Sequence, residues 1–380
     1  MKRLSLWWIG AVTLLMPLGR VGAQDAGRLN QLVSRIESRV EAMTPDDRLP
    51  VSRGALFRGN LVDVRRALDE LAAAGEPAIP GLVRLLGSRR AHLRANAAYA
   101  LGEVGGPKTV EPLLGAAKDL VGAVRYHVAL ALGNTGSAAA LPALNDLASD
   151  KEEDVRAVAI EVSGHLRDVL NAEAAETTEQ KIAGLVKLCY SQPACARLAT
   201  YGGEAVPPLI AALDATDRGN VSGAATALAR IGDARALEPL YQHFATSVQA
   251  GKPEMKFAQA IADFHGREVW PYLKKLLETD LPTAQYYALE RIGETDNPER
   301  LETLRSFLTA QVAKGVHSTA PRGSEMQINP VAVCCEILAR IGDKSFNEIL
   351  TKIVAEAPSA EKSIVKPLAQ RALDAIKQRG

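Results

Sequence analysis

One stretch of this chain states a helical unit and then restates it. Leu93-Arg94 through Ala100-Leu101-Gly102 returns as Val124-Arg125 through Ala131-Leu132-Gly133, and again as Val155-Arg156 through Val162-Ser163-Gly164, each copy 31 residues after the last. A unit this short cannot bury its own apolar face, so the copies must stack and share a continuous core. The repeat points away from a closed globule and toward an elongated array.

Residue type decides what the unit is made of. The 380-residue chain is 47% hydrophobic but only 4% aromatic, and Ala and Leu, the strongest helix formers, dominate the repeats. β-branched and aromatic runs suited to sheet are scarce. Proline then divides each unit. Pro80, Pro112, Pro142, Pro208, Pro239 and Pro271 stand 32, 30, 66, 31 and 32 residues apart, each ahead of a leucine-rich turn. Proline belongs near a helix start, where its missing N–H does least harm, so each marks the first helix of a two-helix unit. The doubled interval predicts an unmarked repeat between Arg167 and Tyr201. Glycines at 102, 133, 164, 232, 293 and 342 are expected to end the second helices, with Asp233 and Asp343 capping the next. The fold class expected is all-α, an α-solenoid of stacked two-helix repeats.

The pattern Val124-Arg125-x-x-x-Ala-x-Ala-Leu132-Gly133, with Arg230-Ile231-Gly232-Asp233 and Ala236-Leu237-Glu238-Pro239-Leu240, resembles the short HEAT-like repeats of the phycobilin lyases. The resemblance runs from about Leu61 to the C-terminus. It implies the solenoid and leaves activity open, since such repeats serve cofactor-attaching enzymes, iron hydroxylases, DNA-repair enzymes and plain binding scaffolds. The hydroxylases carry His-Glu pairs. Here His92, His127, His165, His243, His265 and His317 are followed by Leu, Val, Leu, Phe, Gly and Ser. No metal site is expected.

The N-terminus is set apart. Lys2 and Arg3 precede an apolar run from Leu4 to Leu18, and Val21-Gly22-Ala23 suits signal peptidase. Residues 1–23 are expected to be a signal peptide, which makes the protein exported, periplasmic or secreted, with no stable membrane insertion after processing. Residues 24–60 are expected to form a capping helix, periodic from Ala26 to Met43, and a linker; the solenoid occupies 61–380, with an inserted loop near 313–329. Losing Lys2, Arg3 and Arg20 takes the formal net charge from +1 to −2. That balance offers no general attraction to phosphate backbones, so nucleic acid is not an expected partner.

Candidate sites are few. Arg94, Arg125 and Arg156 would line one edge of the stack. They form either a strip that binds carboxylates, which suit the planar fork, or a set of bonds between repeats, with Asp119 and Asp150 as acids within reach. His317 and Arg322 lie in the insert, a candidate interaction loop. Cys189 and Cys195 flank a Pro193 bend, and an exported chain meets oxidising conditions, so a disulfide is expected. Cys334 and Cys335, adjacent on a helix, point apart and are expected to stay reduced. No nucleophile elbow, phosphate loop or dinucleotide fingerprint occurs, and no catalytic residue or cofactor is expected. The sequence reads as an exported, non-catalytic scaffold that binds a protein or peptide along its concave groove. The alternative is a lyase-like, cofactor-handling enzyme.

Overall fold

The computed structural model describes residues 23–41, 67–68, 70–72, 74–264, 266–315, 329–357 and 364–379. The expected signal peptide, apart from Ala23, lies outside them, as do most of the expected linker and the insert with His317 and Arg322. Every regular element among the described residues is helical. The chain divides into two compact units, Met1–Ile231 and Gly232–Gly380.

In the first unit α1 (Ala23–Glu41) precedes five helix pairs: α2 (Ile79–Leu86) with α3 (Ala91–Val104), α4 (Val110–Ala116) with α5 (Gly122–Asn134), α6 (Leu141–Leu147) with α7 (Glu153–Glu173), α8 (Thr178–Val186) with α9 (Gln192–Thr200), and α10 (Val206–Ala212) with α11 (Arg218–Ile231). The second unit holds α12 (Leu237–Gln249) and α13 (Met255–Ala262), α14 (Trp270–Glu278) and α15 (Pro282–Glu294), α16 (Arg300–Ala313) and α17 (Pro330–Ile341), then α18 (Asn347–Glu356) and α19 (Val365–Arg379). The α8–α9 pair is the unmarked repeat. It opens on a capping box in which Thr177 accepts from the Gln180 N–H and the Gln180 side chain accepts from the Thr177 N–H.

The proline positions behave as their chemistry requires, standing within the first turn of α2, α6, α10 and α14. A single 3-10 turn leads into several of these first helices, and Asp233 and Asp343 cap two such turns through the N–H groups of Arg235 and Ser345. First helices send Leu82, Leu113 and Leu144 inward, second helices Leu93, Leu101 and Leu132, all fully buried. Each such leucine contributes about 2 kcal/mol of transfer free energy. On α1, Leu32, Val33 and Ile36 are buried, and a Cβ on Gly81 of α2 would lie 2.7 Å from Val33 Cγ2.

The glycines differ from expectation. Of the six expected terminators, Gly232 and Gly342 follow a second helix, Gly232 in the left-handed region at φ 71°, and α3 ends instead on Gly105, at φ 64°. Gly102, Gly133, Gly164 and Gly293 lie inside α3, α5, α7 and α15. Three of them permit close helix approach: a Cβ at Gly102 would lie 2.7 Å from the Ala131 Cα, at Gly133 2.8 Å from the Val162 Cβ, and at Gly293 3.0 Å from Ile337. Gly164 faces open space, with no atom within 4 Å of where its Cβ would be. α7 runs through it because His165–Glu173 continues the helical pattern, burying Leu166 and Val169.

Candidate functional site

The arginines at 31-residue spacing start from their own helices. Arg94 Nη1 donates to the carbonyls of Ser88 and Arg89, 3.0 and 3.2 Å away. Arg125 does the same to Asp119 and Leu120 at 2.8 and 3.2 Å, and Arg156 to Asp150 and Lys151 at 2.7 and 3.0 Å. In each case the loop that enters the helix supplies the acceptors and holds the guanidinium plane.

The rest of the fork then reaches the next repeat. Arg94 donates from Nε and Nη2 to the two oxygens of Asp119, at 2.6 and 2.9 Å. Arg125 donates likewise to Asp150, at 2.6 and 2.7 Å. Each aspartate also accepts the backbone N–H two residues on, from Val121 and Glu152. Asp119 thus takes Arg94 on its carboxylate and Arg125 on its carbonyl, and Asp150 repeats this with Arg125 and Arg156. The result is a hydrogen-bonded chain through three consecutive second helices.

The electrostatics follow. The Arg125 hydrogen bond is the main influence holding the Asp150 carboxyl below the ordinary carboxylate range. At Asp119 burial pushes upward, and the Arg94 hydrogen bond, the Val121 N–H and the charges of Arg94 and Arg125 together outweigh it, so this carboxyl also sits low. Arg125 is raised, chiefly by its bond to Asp150. Of the expected strip, Arg94 and Arg125 are therefore inter-repeat ties whose forks are filled from within. Only Arg156 keeps Nε and Nη2 clear of a carboxylate: the corresponding loop, Lys187-Leu188-Cys189-Tyr190-Ser191, carries none.

Two further groupings could not be read from spacing. Glu103, at the end of α3, is buried; it accepts from Gln192 Nε2 at 2.7 Å and stands 3.8 Å from Arg230 Nη2. Three second helices of the first unit meet there, from residues 89 positions apart and more. In the second unit Arg291 is buried, donates to the Ala262 carbonyl, and is lowered by that burial. Arg230 and Arg291 both belong to the Arg-Ile-Gly signature, which was visible as a pattern and silent about what it would touch.

Cys189 and Cys195 come together as buried free thiols, without the expected disulfide. The Cys195 thiol donates to the Cys189 carbonyl at 3.0 Å, so its sulfur is turned toward the backbone of its neighbour. The hydrogen bond with Cys195, then burial, pushes the Cys189 thiol up. Cys334 and Cys335 are free and buried too, and burial raises Cys335 to about 12. Trp270 is buried, its indole N–H donating to Glu299 at 3.2 Å. Among the described residues no group of three or more His, Cys, Asp or Glu could hold a metal ion, and no helix is long and apolar enough to cross a membrane. Surface depressions of about 370 and 460 Å3 lie on α1, at Arg28 and Arg35, and on α19, at Gln370 and Asp374.

Comparison with known families matches residues 62–123, 79–164 and 121–193 to HEAT repeats, and residues 222–246 to the PBS lyase HEAT-like repeat. The chain carries HEAT repeats. No curated protein matches it. Solved structures similar to the chain include human deoxyhypusine hydroxylase in complex with glycerol, 16% identical over 94% of this chain and 100% of that one, at a TM-score of 0.31. The CpcE–CpcF complex of phycocyanin lyase from Nostoc sp. is 18% identical over 78% of this chain and 94% of that one, at 0.25. A computationally designed armadillo repeat protein for modular peptide recognition is 20% identical over 69% and 99%, at 0.24.

Proposed function

We propose that this HEAT-repeat chain is an exported, non-catalytic scaffold that binds a protein or peptide partner along its second helices. One observation carries the reading. Apart from Arg156, the buried and half-buried arginines of the repeat pattern are committed to other repeats: Arg94 to Asp119, Arg125 to Asp150, Arg230 to Glu103 and Arg291 to the Ala262 carbonyl. Side chains used this way stiffen a surface and leave little for proton transfer or nucleophilic attack. Stacked repeats then supply extended surface, the resource that partner binding needs. The basic and apolar start of the chain, Lys2 and Arg3 before Leu4–Leu18, supports export.

The test has two arms. The full chain is expressed with its own N-terminus, fractionated and sequenced from the N-terminus of the purified product. Cleavage after Ala23 and recovery outside the cytoplasm are expected; an intact Met1 in the cytoplasm overturns export. The processed protein is then immobilised and offered envelope extract, beside a version lacking residues 315–327. A saturable partner retained by the intact chain is expected, and its absence overturns the scaffold. Equal retention by both forms removes the insert from the binding surface.

A further inference from the structure

The stack treats one face of its second helices in the same way twice and then stops. On α3 that face carries Arg94, filled by Asp119, and one turn later Ala98, fully buried. On α5 it carries Arg125, filled by Asp150, and Ala129, also fully buried. The same positions on α7 are Arg156 and Ile160, and Ile160 is 60% exposed. α7 is also the long helix of the unit, and the α8–α9 pair meets its far half. Tyr190 stands edge-on to His165 at 5.3 Å, Gly184 packs on Ala172, and Arg197 and Tyr201 reach Glu173 at 3.3 and 2.8 Å. Among the described residues nothing takes the place over Arg156 and Ile160 that α7 takes over Arg125 and Ala129.

Arg156 is nevertheless set as its two predecessors are. Its Nη1 holds the same pair of loop carbonyls, which leaves Nε and Nη2, the two donors that grip Asp119 and Asp150 lower in the stack. We propose that this face of α7 docks a partner protein through a helix that begins with an aspartate. The partner's carboxylate takes Nε and Nη2 of Arg156 in a bidentate pair, and small apolar side chains on its first turns cover Ile160. The proposal rests on the scaffold reading and names its surface.

The molecule supplies its own template for the ligand. In both filled rungs the acid is an aspartate just ahead of a helix, short enough to accept the N–H two residues on while gripping the arginine. The face itself carries Ala98 and Ala129 in the filled rungs and the larger Ile160 here, so small partner side chains fit beside it. Exposed Glu153 and Asp154 stand in the first turn of α7, so an acidic run would be repelled. The structure selects one carboxylate among neutral or basic neighbours, held by the fork geometry rather than by the net field.

The probe is a lactam-stapled helical peptide that reproduces residues 115–131 of this chain, which carries Asp119 as its one native carboxylate, beside Lys118, and the start of α5. It is labelled and titrated onto the full processed protein by fluorescence anisotropy. Saturable binding is expected, weakened about tenfold or more by Asp119→Asn in the peptide, as for a charge-assisted pair. Arg156→Gln and Ile160→Glu in the protein should each weaken it comparably; Ile160 is exposed, so I160E tests the surface without touching the core. Absence of saturable binding, or binding indifferent to all three changes, overturns the proposal. If I160E and R156Q proteins still retain the envelope partner, the scaffold stands and this surface falls. If the unaltered protein retains no partner, the scaffold reading itself falls.

Discussion

Arg125 and Asp150 keep only 7% and 9% of their side-chain surface exposed, which sets the energetics of the arginine ladder. A pair so far from water gains little over two apolar side chains, but a partner left alone retains its charge and loses its solvation. Asp150→Asn should therefore cost about 3 kcal/mol, read as a shift in the urea midpoint at constant slope. Arg94 and Asp119, at 18% and 10%, should cost less when broken. The acid limb follows from the depressed Asp150 and Asp119 carboxyls. A carboxyl whose native pKa lies below its unfolded value of about 4 stabilises the fold above that value, and its contribution fades as pH falls through the native pKa. Melting temperature should thus fall more steeply below pH 4 in the unaltered protein than in D150N; parallel curves would show that the pair does not govern the acid limb. At this scale the sequence showed both readings of the arginines and could not choose. The choice depended on Asp119 and Asp150 lying across a repeat boundary at bonding distance.

At the scale of elements, the glycines separate two uses of one residue. Gly133 lets α5 approach α7 so closely that an added methyl would meet the Val162 Cβ at 2.8 Å, whereas the same methyl on Gly164 meets nothing within 4 Å. Gly133→Ala should destabilise by about 1–3 kcal/mol through overpacking. Gly164→Ala should stabilise by about 0.5–1 kcal/mol, because a mid-helix glycine costs backbone entropy that alanine does not. Thermal melts of the two variants should move in opposite directions, and movement in the same direction would refute the assignment. A periodic glycine reads as a helix terminator because both roles recur at the repeat length. Only the neighbouring helix distinguishes them. Proline is less ambiguous: its fixed φ and missing N–H confine it to the first turn in any context, and Pro80, Pro142, Pro207 and Pro271 stand there.

At the scale of the molecule, a stack of repeats should respond to damage locally, since each repeat is stabilised by its neighbours. Glu103 is an exception, because it meets Gln192 in a repeat that is not adjacent to its own. Glu103→Ala should therefore raise amide hydrogen exchange in α9 as well as in α3, and a response confined to α3 and α5 would show that the contact is idle. Repeat length, helical character, the place of each proline and the hidden α8–α9 pair were all determined by the sequence alone. These follow from local periodicity and backbone chemistry, which act within one or two turns. What the tertiary structure decided is which charges meet: that Arg94 and Arg125 are tied, that Arg156 is open, that Cys189 and Cys195 lie buried as thiols, and that Glu103 finds Gln192 and Arg230. The physical reason is register. Hydrogen bonds and ion pairs form over about 3 Å, while the length of α7 slides the next hairpin along it by several turns, and no spacing in the sequence records that slide.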